Sequence, residues 1–185
     1  AKILAMWTNR PPILLTKNKP VKSLADMKGL KVLVTSAQNV PFIEALGASA
    51  VSQPVTVINQ NLQNGTIDAI LIDSSAIRSF KLYEPAKYLT IGIPGSGSAF
   101  VLLMNNKVYD AMSAQEKKWV DEASGQWLSE SGGRGFDTAG AGGIKISLEK
   151  NVEIIQLSDS EIAKFKKAME PAIMTFNNKK ISGSL

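Results

Sequence analysis

The sequence predicts an α/β fold, with a mostly parallel sheet in one lobe and long helices toward the C-terminus. Three observations predict it. From residue 30 to residue 91, apolar runs of strand length alternate with segments of helical period. Glycine, proline and capping residues stand at each change of period. Beyond residue 104 the pattern is helical apart from one short apolar run. Strands that alternate with helices pair in parallel and carry the helices on their faces.

The elements follow in order. Residues 3–7 form a short apolar strand, which Asn9-Arg10-Pro11-Pro12 breaks, and Ile13-Leu14-Leu15 forms a second. Ser23 and Asp26 are spaced as a helix cap, each able to satisfy an amide of the first turn. Residues 30–34 are a buried strand, and a helix begins at Asn39 and stops at Gly47. A short strand at 50–53 precedes a helix through Val57, Ile58 and Leu62, ended by Asn64-Gly65. Residues 67–72 form a strong buried strand, and Ser74 or Ser75 caps the helix after it. Residues 88–91 and 99–104 are further strands, separated by Pro94-Gly95-Ser96-Gly97. Ser113-Ala114-Gln115-Glu116 is a capping box, followed on one helical face by Trp119, Val120, Ala123 and Trp127. A last strand at 152–157 leads to Ser158-Asp159-Ser160-Glu161, which caps a final helix that Pro171 is expected to kink.

Composition narrows the chemistry. The 185 residues are 44% apolar and 20% charged, with a net charge of +5, no cysteine and no histidine. Thiol nucleophiles, Cys/His zinc sites and histidine-based triads are therefore excluded within the chain, and no metal or cofactor is expected. Basic residues are scattered, with pairs at Lys117-Lys118, Lys166-Lys167 and Lys179-Lys180 and no interleaved aromatics, so the pattern points away from nucleic acid. The opening residues lack the basic stretch and long apolar core of a signal peptide, and the chain reads as the later part of a longer protein.

Three groups could carry function. The glycines between Gly132 and Gly143 lack the Gly-Lys-Ser/Thr ending of a phosphate loop and are read as a helix crossing a neighbour closely. Asp68 and Asp73 flank a strand, and a carboxylate at its end lies where open α/β sheets bind ligands, although Asp73 or Ser74 could simply cap the next helix. Trp7, Asn9 and Arg10 lie in a break after a strand, where an arginine could clamp a carboxylate or merely be solvated.

The ordered set of motifs resembles the TRAP-type (DctP-like) solute receptors. Lys19-Pro20-Val21-Lys22-Ser23-Leu24-Ala25-Asp26-Met27-Lys28-Gly29-Leu30-Lys31-Val32 is similar to their signature, as are Leu46-Gly47-Ala48, Leu62-Gln63-Asn64-Gly65-Thr66-Ile67-Asp68-Ala69 and Met104-Asn105-Asn106-Lys107-Val108-Tyr109-Asp110. The resemblance implies a periplasmic-binding-protein-like lobe. Residues 1–22 would cross to a second lobe built by a preceding segment of the same protein. Residues 23–104 would form the α/β ligand-binding lobe, and 105–185 a helical section bracing both. It also implies periplasmic capture of a small-molecule solute, delivery to the membrane subunits of a TRAP permease, and no catalysis. A ligand-sensing domain of a receptor, or a hydrolase using Asp68 or Asp73, are the alternatives.

The chain departs from the resemblance at three pocket positions. Leu33 stands where the receptors carry a carboxylate-clamping arginine, Ile72 where they carry an asparagine, and Val55 near an aromatic or small residue. The ligand-binding set expected from the sequence is Trp7, Arg10, Leu33, Ser36, Val55, Ile72, Asp73 and Phe100. Its apolar character points to a more hydrophobic, less anionic solute than a C4-dicarboxylate, or to an anion held by a substitute cation, for which Arg10 is nominated. The lone lobe is expected to bind weakly and to expose apolar surface at residues 3–7 and 99–104.

Overall fold

The computed structural model describes residues 1–95 and 97–178. Ser96 and the Lys179-Lys180 pair lie outside the described residues. Two sheets organise the chain. The larger has six strands in the order β4-β3-β5-β2-β6-β8, with β2 Ile13–Thr16, β3 Lys31–Val34, β4 Ser49–Ser52, β5 Ala69–Ile72, β6 Tyr88–Ile91 and β8 Glu153–Gln156. The smaller is an antiparallel ribbon of β1 Lys2–Thr8 and β7 Ala99–Met104.

The strands at 30–34 and 67–72 are parallel neighbours, as the sequence predicts, with Leu33 opposite Ile70. β3–β4 and β6–β8 are also parallel, whereas β2 runs antiparallel to both β5 and β6. The sheet is thus mostly parallel with one reversed strand at its centre. β7 leaves this sheet for the ribbon, and β8 joins it after the longest helix.

The middle of the sheet is buried on both faces, so β2 and β5 read as continuous apolar runs. Alternation divides them between two cores. Leu15, Leu33 and Ile70 pack with Ile58, Leu62 and Ile77 on one side. Leu14, Val32 and Val34 pack with Ile43, Leu46 and Phe165 on the other. The helices are α1 Val40–Ala45, α2 Ile58–Gln63, α3 Ala76–Ser79, α4 Asn106–Asp110, α5 Ala114–Glu122, α6 Gln126–Glu149 and α7 Asp159–Asn178. Short 3₁₀ turns precede α1 and α2; before α1, Pro41 at N1/N2 has no amide proton to close an α turn onto Ala37.

Both predicted capping boxes form. The Asp26 carboxylate accepts from the Ser23 amide at 2.9 Å, and Glu116 accepts from the Ser113 amide at 2.8 Å. One expectation is corrected here. Trp119 and Trp127 do not share a helical face: α5 ends at Glu122, and Gly125, at φ +77, turns the chain into α6. Both indoles are about 60% exposed, at 59% and 62%.

α6 is the long helix expected across the glycines, and its glycines lie where it is crossed. A β-carbon on Gly132 would sit 2.6 Å from the Trp7 ring, and one on Gly143 would collide with the Ser74 carbonyl oxygen. α6 is also pinned to β1, since Met6 donates its amide to Ser129 Oγ at 3.0 Å. At the other end of the chain, α7 docks through Glu161, which accepts the Leu24 amide at 3.0 Å. α7 continues past Pro171 as one helix.

Candidate functional site

The carboxyl ends of β3, β5 and β6 and the start of β2 open onto one rim of the sheet. A cleft of about 980 Å³ lies there. Its floor is the rim itself, with Thr35, Leu71, Ile72 and Asp73. One wall comes from α1 and α7 and includes Phe42, Ile43, Leu46, Met169, Ile173 and Phe176. The other is made by the two connections that join the sheet to the ribbon, through Asn9, Arg10, Pro12, Ile93, Pro94 and Ser98.

Those two connections are fastened together. Ser98 donates its amide to Asn9 Oδ1 at 2.6 Å, and Asn9 donates its amide to Ser98 O at 3.3 Å. Arg10 is fastened as well: its Nε donates to Asp137 Oδ1 of α6 at 2.7 Å. Asp73 closes the turn after β5, its Oδ1 accepting the Ser75 amide at 3.0 Å and also the Ser75 hydroxyl. Asp68 does not reach the cleft; its Oδ2 accepts the Lys31 amide at 2.9 Å and braces β3 against β5.

Of the eight residues singled out from the sequence, Arg10, Ile72 and Asp73 line this cleft. Leu33 is fully buried in the core on the opposite sheet face, against Ile58 and Leu62, and Val55 packs at the edge of that core. Ser36 is exposed and caps the turn before α1, accepting the Gln38 amide at 3.4 Å. Trp7 and Phe100 stack across β1 and β7 with centroids 5.8 Å apart and pack on Phe136 of α6. They build the ribbon–helix junction, where Trp7 Nε1 is buried with no hydrogen-bond partner among the described residues.

Sequence reading missed the α1–α7 wall. Phe42 and Phe176 meet at 6.2 Å with their rings tilted by 55°. Lys166, Lys167 and Glu170 place three charges beside them. A signal existed in the sequence: Lys166, Met169, Glu170 and Ile173 recur at helical spacing, so they share one face of the final helix.

An α/β lobe with a cleft at its carboxyl rim, tied by two crossings to a second sheet, is the arrangement of a ligand-binding lobe, since open α/β sheets bind ligands at the carboxyl ends of their strands. The chain belongs to the bacterial extracellular solute-binding protein family 7, which its residues 1–180 match. It is 29% identical over 115 residues to the 2,3-diketo-L-gulonate-binding periplasmic protein of Escherichia coli, covering 62% of this chain and 35% of that protein. It is 27% identical over 172 residues to the C4-dicarboxylate-binding protein of Bacillus subtilis, covering 92% of this chain and 49% of that protein. Among solved structures, a TRAP solute binding protein from Rhodoferax ferrireducens in complex with copurified benzoate superposes with a TM-score of 0.88 at 28% identity, over 95% of this chain and 56% of that one. A marine metagenome TRAP solute binding protein specific for aromatic acid ligands, with co-crystallized 3-hydroxybenzoate, gives a TM-score of 0.87 at 30% identity, over 97% and 58%. The chain thus spans a third to a half of these curated relatives and somewhat over half of the solved ones. All are binding proteins rather than enzymes.

Proposed function

We propose that the chain forms the larger part of a periplasmic receptor that captures a small organic acid reversibly and presents it to the membrane subunits of a TRAP permease. The observation that carries this reading is the cleft at the carboxyl rim in a chain of family 7. In this reading the six-stranded sheet is the ligand-binding lobe, with β2 from residues 1–22 at its centre and β8 from the C-terminal section at its edge, while β1 and the segment after it carry the crossing and α4 to α7 brace the two sides. The outer face of the β1–β7 ribbon, where Ile3, Met6, Val101 and Leu103 are each more than 40% exposed, is where a second lobe would pack. The chain performs no catalysis in this reading: Asp68 braces strands and Asp73 holds a turn, so neither is poised as an acid or base.

The solute we infer is a hydrophobic monocarboxylate, with an aryl acid as the first choice. Phe42, Phe176, Ile93 and Leu46 give the cleft apolar walls wide enough for a ring. The aromatic acids bound by the two solved relatives support the same class. A thermal-shift screen of the full-length protein against benzoate, 3-hydroxybenzoate, succinate and glucuronate tests it. Stabilisation is expected with the aryl acids. No shift with any acid would remove the receptor reading, and a shift with succinate alone would remove the solute class.

A further inference from the structure

We propose that Lys166 of α7, seconded by Lys167, supplies the positive charge that meets the solute's carboxylate in this cleft. This deepens the receptor reading and rests on it. A carboxylate entering an apolar cleft needs a cation, because an unpaired anion there loses its hydration without return. Among the described residues, three cations line the cleft: Arg10, Lys166 and Lys167. Arg10 is already committed to Asp137, its Nε at 2.7 Å from the carboxylate. Among the described residues, Lys166 and Lys167 take part in no ion pair and no side-chain hydrogen bond, whereas Lys164 on the same helix is held by Glu161 at 2.6 Å.

Helix geometry separates the two lysines. Lys166 lies three, four and seven residues before Met169, Glu170 and Ile173, all of which line the cleft. Residues so spaced share one helical face, so Lys166 belongs to the centre of that wall and Lys167 to its edge. The lysine stem can run along the apolar surface of Met169 while the ammonium stays at the mouth. A lysine is a compact charge on a flexible stem, unlike the rigid fork of an arginine. It therefore holds a carboxylate without fixing its orientation, which suits a family of aryl acids of differing length.

The same wall selects against a second carboxylate. With Arg10 neutralised by Asp137, the remaining charges among the described residues are Lys166 and Lys167 against Asp73 and Glu170. Lys166 takes one carboxylate at the centre of the wall. A second, reaching Lys167 at the edge, would share the cleft with the first carboxylate and with Asp73 and Glu170, and these like charges raise the cost of keeping it ionised.

Calorimetric titration of the full-length protein with benzoate, its neutral isostere benzamide and the dicarboxylate phthalate tests the assignment. Wild-type protein is expected to prefer benzoate to both. In K166Q/K167Q, benzoate affinity is expected to fall by about tenfold or more, with the preference over benzamide lost. In R10Q the change is expected to stay under about threefold. Lysine variants that keep the benzoate-over-benzamide preference overturn the proposal while leaving the receptor reading intact, and so does an R10Q protein that loses it. A wild-type protein that binds none of the screened acids overturns both. All three side chains are on the surface, so the variants are expected to melt with the wild type.

Discussion

Arg10 and Asp137 are 127 residues apart in sequence and 2.7 Å apart in space. The pair ties the first crossing between the sheets to the middle of α6, and it withdraws from the cleft the one arginine that lines it.

Asp137→Asn should release that arginine. Both partners are more than half exposed, so the pair contributes at most about 1 kcal/mol to stability. The thermal midpoint is expected to move little. Benzoate affinity, read by calorimetry, is expected to rise a few-fold because a further cation joins Lys166 and Lys167 at the cleft. An affinity that falls would show that Arg10 is useful only when held by Asp137.

The glycines of α6 should respond in opposite directions. At Gly143 an added methyl group collides with the Ser74 carbonyl oxygen, and Ile77 stands 3.2 Å away. Gly143→Ala is expected to cost about 3 kcal/mol, through overpacking of the α3–α6 crossing. Gly135 has open space around its missing side chain, so Gly135→Ala should stabilise by about 0.5–1 kcal/mol through helix propensity alone. Urea unfolding of the two variants checks both signs.

Leu33→Ala is expected to cost about 2–5 kcal/mol, because the side chain is fully enclosed by Ile58, Leu62 and Ile70. Solute affinity at a temperature where the variant is folded should be unchanged, since Leu33 faces away from the cleft wall. A selective loss of affinity would place Leu33 in the site after all.

Acid should loosen the docking of α7. The Glu161 carboxyl is held below its ordinary value by the Lys164 bond first and then by the Leu24 amide. Burial pushes the Asp26 carboxyl up, but the Ser23 hydroxyl and the Lys22 and Ser23 amides outweigh it and leave a net lowering. Depressed carboxyl groups stabilise the fold fully above their unfolded values, and that contribution is lost as pH falls through the folded ones. The melting temperature is expected to be level above about pH 5 and to drop below about pH 4. Glu161→Gln should flatten the drop while lowering the plateau slightly. A Glu161→Gln profile parallel to the wild type would show that the contact carries no pH dependence.

The ribbon's outer face should make the 185-residue chain associate with itself. Met6 opposes Val101 and Ile3 opposes Leu103, giving an apolar strip across both strands. Light scattering is expected to show concentration-dependent growth that Met6→Lys with Leu103→Lys suppresses. A monodisperse monomer at high concentration would rule this out.

Local signals in the sequence were read correctly where the structure is local. The strand at 67–72 is a continuous apolar run because both its faces are buried, and the boxes at Ser23 and Ser113 need only four residues each. The reversal of β2 was not legible, since four apolar residues in a row carry no direction. Nor was Arg10's partner: nothing near Arg10 marks Asp137. The Trp119–Trp127 error came from extending one helical period through Ser124-Gly125, although that glycine was the signal to stop. The family resemblance placed Leu33 in the pocket, yet a leucine at that point gains more from the core than from the rim. The Lys166-Lys167 pair is visible in the sequence, but its place on the cleft is not, because a wall assembled from residues 42 and 176 has no local signature.

The reversed strand at the centre of the sheet also sets an order of events during synthesis. Residues 13–16 leave the ribosome before the other strands of this sheet, but their neighbours are residues 69–72 and 88–91. Until the second of these has emerged, β2 has at most one partner, while β3 and β4 can already pair with each other. The sheet therefore grows from one edge toward a gap that its oldest strand must fill. Closing that gap requires long loops to be drawn in before any contact rewards them, which slows folding. A nascent chain of this design would keep Ile13-Leu14-Leu15 uncovered throughout the interval, and that tripeptide is an apolar stretch for a holding chaperone to cover.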